Sequence, residues 1–287
     1  MSDEIFLHDS GAAPMVAAVK NAQDSFRIFS RELVWESNRI IPGLELAAVK
    51  VPFSDPPEIF EHDGEHPNVE NMWIMEVSFD GADVSGTLVN NPGWLKSVKE
   101  GDSIAVKPSE INDWMYSSGG RVYGGFTVNV IRSAMGKAER KQHDDAWGGL
   151  DFGDPQNVLL VPQEYLGRDE PKPGLLSRLF SKPVPSLPQT LSEVTMSEHP
   201  MAVNCLESMC EQADEDPDVL NFTYENGMTQ VHRFAMAGAA DIVDAFASRG
   251  ADLDATTDKG LTAFQIAQSL GWKNVSQILK THGASTR

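Results

Sequence analysis

Asp113-Trp114-Met115-Tyr116-Ser117-Ser118, then Gly119-Gly120, then Arg121-Val122-Tyr123-Gly124-Gly125-Phe126-Thr127 is the stretch on which the fold turns. Two aromatic-rich runs flank a glycine pair. Glycine takes the positive φ angles of a two-residue hairpin loop without steric cost, so the pair predicts a tight β-hairpin. Val122, Gly124, Phe126, Val128 and Val130 alternate at the strand period, which extends the second strand to Val130. Gly124-Gly125 inside that strand predicts a bulge or the close approach of another backbone. No catalytic motif lies in this stretch, and Asp113 reads as a turn or cap residue.

Upstream, Trp73, Met75, Val77 and Phe79 alternate, Asp80-Gly81 turns the chain, and Val84 to Val89 returns. Leu46 to Phe53 and Ser103 to Val106 are two further strands. Short strands joined by tight turns predict a curved antiparallel sheet, or a small open barrel. Before them, Met15, Val19, Ala22, Phe26, Phe29 and Leu33 form one apolar stripe of a helix, with Ser10 as a possible cap and Pro14 in the first turn. Arg27, Arg31 and Glu32 fall off that stripe. Between Asp55 and Glu70 lie Glu58, Glu61, Asp63 and Glu65 around His62 and His66. Pro57, Gly64 and Pro67 make this a loop that does not fix metal-ligand spacing, so no metal is expected there.

Glu70-Asn71-Met72-Trp73, Gly86-Thr87-Leu88, Asn91-Pro92, Val98 to Asp102, Ile111 to Tyr116 and Gly124 to Thr127, in that order, resemble the bacterial YegJ-type domain of unknown function over residues 10–132. The resemblance implies a fold and no reaction. Asn71 departs from it, standing where the family resemblance leads one to expect histidine.

Residues 133–166 extend this domain, with a polar helix over Lys137 to Asp145, a break at Gly148-Gly149 and a short strand over Val158 to Val161. Residues 167–199 hold Pro171, Pro173, Pro183, Pro185 and Pro188 and read as a semi-extended linker. Leu175, Leu176, Leu179 and Phe180 form one apolar turn within it. In residues 200–287, Gly227, Thr229, Gly238, Asp241, Ile242, Gly250 and Ala251 recur 33 positions later as Gly260, Thr262, Gly271, Asn274, Val275, Gly283 and Ala284. That period resembles ankyrin repeats: one degenerate cap from about Ser197, then two recognisable units. Thr229 and Thr262 cap first helices, the glycines end second helices, and His232 is a structural, hydrogen-bonded histidine. The fold expected is an α+β domain over 1–132, a sheet with a packed helix, joined to an all-α ankyrin domain.

The 287 residues carry a formal charge of −19 with no basic segment, which disfavours nucleic acid and anionic membranes and favours a basic protein partner. No secretory signal or membrane span is visible. Cys205 and Cys210, the only cysteines, read as reduced packing residues of a cytoplasmic protein. No nucleophile–base signature or nucleotide-binding fingerprint is present, so neither catalysis nor a cofactor is expected. The reading is a non-catalytic protein-binding module of the immunity type, sequestering a toxin or effector. The alternatives are a general adaptor or stress-related scaffold and, third, a metal-dependent hydrolase. Trp272, Trp114, Tyr116, Arg233, Met236, Lys259, Glu61 and Asp63 are the expected partner contacts. Trp272 leads as an exposed aromatic at the turn between the last two helices.

Overall fold

The architecture comes from a computed structural model, which describes residues 12–59, 67–168 and 187–286. Ser10, Glu61, His62, Asp63, His66 and the apolar turn at Leu175 to Phe180 lie outside these residues.

Helix α1 spans Ala13–Ser37, entered from an extended Ala12 with Pro14 in the first turn. One side packs on a sheet: Phe26 meets Phe79 edge-on at 5.2 Å, and Phe29 stacks on Trp114 at 5.6 Å. The other side packs on the C-terminal helices, where Trp35 meets Phe234 at 5.5 Å. The helix is therefore enclosed on both flanks in its second half, which a single stripe does not describe. Arg31 and Glu32, read from the sequence as off-stripe, are each 3% exposed.

The sheet has the order β4-β3-β2-β1-β5-β6 with every neighbour antiparallel. Its strands are β1 (Leu46–Phe53), β2 (Glu70–Phe79), β3 (Val84–Leu88), β4 (Ser103–Val106), β5 (Asp113–Ser118) and β6 (Arg121–Gly124). Val49 pairs with Ile74 on one side and Trp114 on the other, which places all three on the face beneath α1. The hairpin at Gly119-Gly120 forms as expected, with φ of 59° and 77° and Ser118 opposite Arg121. Between Met75 and Ser78 the β2–β3 register slips by a bulge, and Glu76 there takes φ 54°.

The strand expected through Val130 is instead cut at Gly124. Gly124 and Gly125 both lie in the left-handed region, and helix α2 (Phe126–Ala134) begins at once. The close approach at Gly124 is present: a Cβ there would run into the Trp114 carbonyl and ring. Asp113 supplies the reason for a helix, because its carboxylate accepts from the Phe126 and Thr127 N–H groups at 3.0 and 2.7 Å. Those two donors have no partner inside a helix, so an acceptor fixed in front of them starts one. Helix α3 (Lys137–Ala146) follows, closed at Gly148 and Gly149. Val158 to Val161 does not form a strand. It runs as irregular backbone: Leu159 O accepts the Gly124 N–H at 2.8 Å, and the Gln189 amide holds the backbone of Leu160 and Val161.

The C-terminal region is helical: α4 (Leu191–Met196), α5 (Pro200–Glu215), α6 (Gln230–Ala237), α7 (Ala240–Ser248), α8 (Ala263–Leu270) and α9 (Lys273–Thr281). The two hairpins α6–α7 and α8–α9 repeat in backbone angle as well as in sequence. Gly227 and Gly260 both have φ 74°, Gly238 and Gly271 have 68° and 75°, and Gly250 and Gly283 have 87° and 90°. A hydrophobic core runs without interruption from α1 and the sheet into these hairpins.

Candidate functional site

Of the residues expected at a partner surface, Trp114, Tyr116, Met236 and Trp272 are buried. Trp114 and Tyr116 are 0% and 1% exposed; the Trp114 indole donates to Ala22 O at 2.9 Å and the Tyr116 hydroxyl to Leu160 O at 3.0 Å. Burial holds the Tyr116 hydroxyl protonated well above its ordinary range. Trp272, expected to be exposed, is 4% exposed. Its ring lies under Gly238, where a Cβ would stand 2.5 Å from it, and its Nε1 donates to Met236 O at 3.0 Å. A missing Cβ and a free carbonyl at the end of α6 together make a seat for the indole. Met236 is buried in the same core.

Arg233 and Lys259 do make contacts, but to the chain's own N-terminal region. Arg233 lies over the Tyr224 ring at 4.4 Å and donates to Ser37 Oγ at 2.7 Å. Lys259 reaches Asp83 at 2.8 Å and Asp80 at 3.7 Å across the β2–β3 turn. Ile266 and Met228 crowd Gly81 in that turn. The face formed by α6 and α8 is thus filled by α1 and the sheet's turn.

Where α1 meets α4 and the hairpin turns, a groove of about 510 Å³ is lined by Arg27, Thr195, Glu198, Ala240, Trp272 and Lys273 among others. Arg27 donates to Leu270 O and Gly271 O at 3.2 Å each, satisfying carbonyls at the end of α8. Glu198 accepts the Ala240 N–H at 3.0 Å at the start of α7. Burial and the nearby Asp241 raise its carboxyl pKa above the usual value. Beneath the groove, Glu32 receives Arg31 Nε at 3.2 Å and lies 3.4 Å from His199 Nε2. His199 is stacked flat on Trp35 at 5.2 Å, and its Nδ1 accepts the Met201 N–H at the start of α5. Burial lowers the His199 pKa against the pull of Glu32. Burial alone would raise Glu32, but His199 and Arg31 outweigh it and hold the carboxyl below its ordinary value.

On the opposite sheet face, Asp113 is fully buried and takes four donors: Trp114 N, Phe126 N, Thr127 N and Thr127 Oγ1. Half-buried Lys50 donates to Thr127 Oγ1 at 2.9 Å and lies 4.9 Å over the Trp73 ring. Burial pushes the Asp113 pKa up and the Lys50 pKa down, each opposed by the other's charge. With its lone pairs committed to a helix start, this carboxylate acts as a cap. Asn71, at the position of the expected histidine, accepts from Asn112 Nδ2 at 2.6 Å at the end of the same face.

Among the described residues no group of three or more His, Cys, Asp or Glu is placed to hold a metal ion, and no helix is long and apolar enough to cross a membrane. One surface feature escaped the sequence reading. Glu207, Glu211, Asp214, Glu215, Asp216 and Asp218 are all exposed on α5 and the turn after it. The signal for it was available: from Leu187 to His232 the sequence has no lysine or arginine.

Residues 12–152 match the family described as "Uncharacterized protein conserved in bacteria (DUF2314)". The uncharacterized protein YegJ of Escherichia coli K12 is 30% identical over 92 residues, which is 32% of this chain and 54% of YegJ. A Neisseria meningitidis serogroup B protein named "Putative ankyrin repeat protein" is 36% identical over 282 residues, 98% of each chain. This chain belongs to the family of that meningococcal protein.

Proposed function

We propose that this member of the family is a non-catalytic protein-binding module whose C-terminal hairpins are ankyrin repeats. Supporting the repeats are the 33-residue recurrence of glycine φ angles and the matching threonine caps, together with the relative's printed name. The face that an array of such repeats commonly offers to partners is here filled by α1. The binding surface proposed is therefore the outward side, α5 and the following turn.

The observation that carries this is the exposed carboxylate row of α5, set in a stretch of sequence without a cation and ion-paired, among the described residues, only at Asp214 with Arg249. Such a surface attracts a basic partner over a Debye length and speeds encounter. The partner is a protein rather than nucleic acid, since the chain carries −19. The narrower reading is an immunity-type protein, in which the basic partner is a toxin. A general adaptor would instead capture several partners through the same row. Neither a cofactor nor a reaction is proposed, and the proposed compartment is cytoplasmic.

The test is capture with the full chain from its native host, followed by association kinetics at two ionic strengths. The variant Glu207→Gln/Glu211→Gln/Asp218→Gln is expected to slow association about tenfold at low salt, with dissociation little changed. A single partner that is lethal when produced without this protein supports the toxin reading; several partners support the adaptor. Association that ignores both salt and the triple substitution overturns the acidic-surface reading.

A further inference from the structure

A second cavity lies apart from the residues of the acidic row, none of which lines it. It holds about 680 Å³ between the first turns of α1, the exposed side of α2 and the segment Pro155 to Val158. Its walls are Met15, Ala18, Phe126, Val130 and Val158, with Asn21, Ser133 and Gln156 at the rim. Among the described residues that line it, none is Asp, Glu, Lys, Arg or His, in a chain of which 23% is charged. That size and lining match a site for a small organic molecule, which typically fills about 300–1,000 Å³ of mostly apolar wall with a few fixed polar groups.

The fixed polar group is Asn129. It is 4% exposed, lines the cavity, and its Oδ1 accepts from Arg132 Nη1 at 2.5 Å. Arg132 is held in turn by Asp144, through Nε at 2.9 Å and Nη2 at 2.8 Å, and by the carbonyls of Phe152 and Gly153. A guanidinium only donates, so this chain of contacts fixes which end of the Asn129 amide is oxygen. The Nδ2 group is left facing away from Arg132, and it makes no hydrogen bond among the described residues. An amide donor on the cavity wall with no described protein acceptor is open to solvent and can exchange water for a ligand oxygen at that point.

We propose that this cavity is a binding site for an uncharged, largely apolar small molecule whose carbonyl-type oxygen accepts from Asn129 Nδ2. A charged ligand would lose its hydration against described walls that offer no counter-ion, so charge is selected against. The site is independent of the proposed protein partner, and either reading can fail without the other.

The probe is the uncharged aromatic ketone dye prodan, titrated into the full chain and followed by emission. Saturable one-to-one binding with blue-shifted emission is expected. Asn129→Asp keeps an acceptor for Arg132 and removes the donor, and is expected to weaken binding about three- to tenfold, the worth of one hydrogen bond. Ala17→Trp, at an exposed position on the cavity wall, fills the space and is expected to abolish binding; Ala134→Trp does the same from α2 if the first variant folds poorly. Ser192→Trp, which obstructs the groove beside α4, is expected to leave binding unchanged. The dye's counterpart with a carboxylate in place of the ketone is expected to bind more weakly than the ketone. Non-saturating emission, binding that survives both tryptophan variants, loss of binding in Ser192→Trp, undiminished binding in Asn129→Asp, or equal affinity for the carboxylate would each overturn the proposal.

Discussion

In the hairpin α6–α7 the residue after the turn glycine is Ala239, and the helix start that follows is capped from outside by Glu198. In α8–α9 the matching residue is Trp272, whose indole reaches back under the first hairpin to Met236 O. A second difference lies at the first-helix caps. Thr229 N–H is accepted by His232 Nδ1, whose Nε2 meets Leu261 O at 3.1 Å; Thr262 N–H is accepted by Gln265 Oε1 at 2.9 Å, and the Gln265 N–H returns to Thr262 Oγ1 at 3.3 Å. The same backbone is thus stitched forward at one cap and backward at one turn. A repeat constrains its own angles; its neighbours decide what each side chain is for.

The largest break in this comparison is Trp272→Ala. Removing a buried indole leaves a cavity under Gly238, and urea unfolding should lose about 3–5 kcal/mol. A Trp272→Ala protein with an unshifted midpoint would mean that the ring is a surface feature after all. Next in size is the paired test Gly238→Ala against Gly271→Ala. Both glycines are left-handed, so each variant is expected to lose about 1 kcal/mol from backbone strain. At Gly238 the new methyl also meets the Trp272 ring, whereas at Gly271 it meets only the movable end of Arg27. Gly238→Ala should therefore lose about 1–3 kcal/mol more. Equal losses would separate the indole from the glycine.

The smallest effect sharpens the cap difference. Burial holds the His232 pKa below 6.5, opposed by its bond to Leu261 O. Because the folded value is the depressed one, the unfolded chain binds the proton first as pH falls. Stability is full above 6.5 and is lost on the acid side of it, by at most about 1.4 kcal/mol per pH unit for this one group. His232→Gln, which copies Gln265, should flatten the stability profile below that pH while changing stability at pH 8 by about 1 kcal/mol or less. His199, also depressed by burial, keeps part of the slope in the variant. An unaltered slope would show that His232 does not titrate against folding.

Local and periodic features were legible in the sequence. The strands β1 and β4 span the expected Leu46 to Phe53 and Ser103 to Val106, the Gly119-Gly120 hairpin forms, and the 33-residue recurrence marks every left-handed glycine of the hairpins. What failed depended on a distant partner. Phe126 to Val130 alternates like a strand, but the Asp113 carboxylate across the hairpin turns it into a helix start. Arg31 and Glu32 look solvent-facing until His199 and Val194 arrive from far along the chain. Trp272 reads as exposed from its place at the turn between the last two helices, and only the missing Cβ at Gly238 explains where it goes. The cavity donor at Asn129 was invisible for the same reason, since its orientation is set through Arg132 by Asp144.

Helix α1 is enclosed on one side by the sheet and on the other by α6. During synthesis it leaves the ribosome long before α6, which begins about 200 residues later; at about 5–20 residues per second the interval is about 10–40 s. Over that time Trp35, Val34 and the Arg31–Glu32 pair have no array to cover them, even if Phe26 and Phe29 have already found the sheet. The nascent chain therefore carries a sticky helical flank through most of its translation, where chaperones or a second nascent copy can reach it. Ribosome-bound chains stopped before Gln230 should be captured by a holdase chaperone through α1, and release should coincide with the emergence of α6.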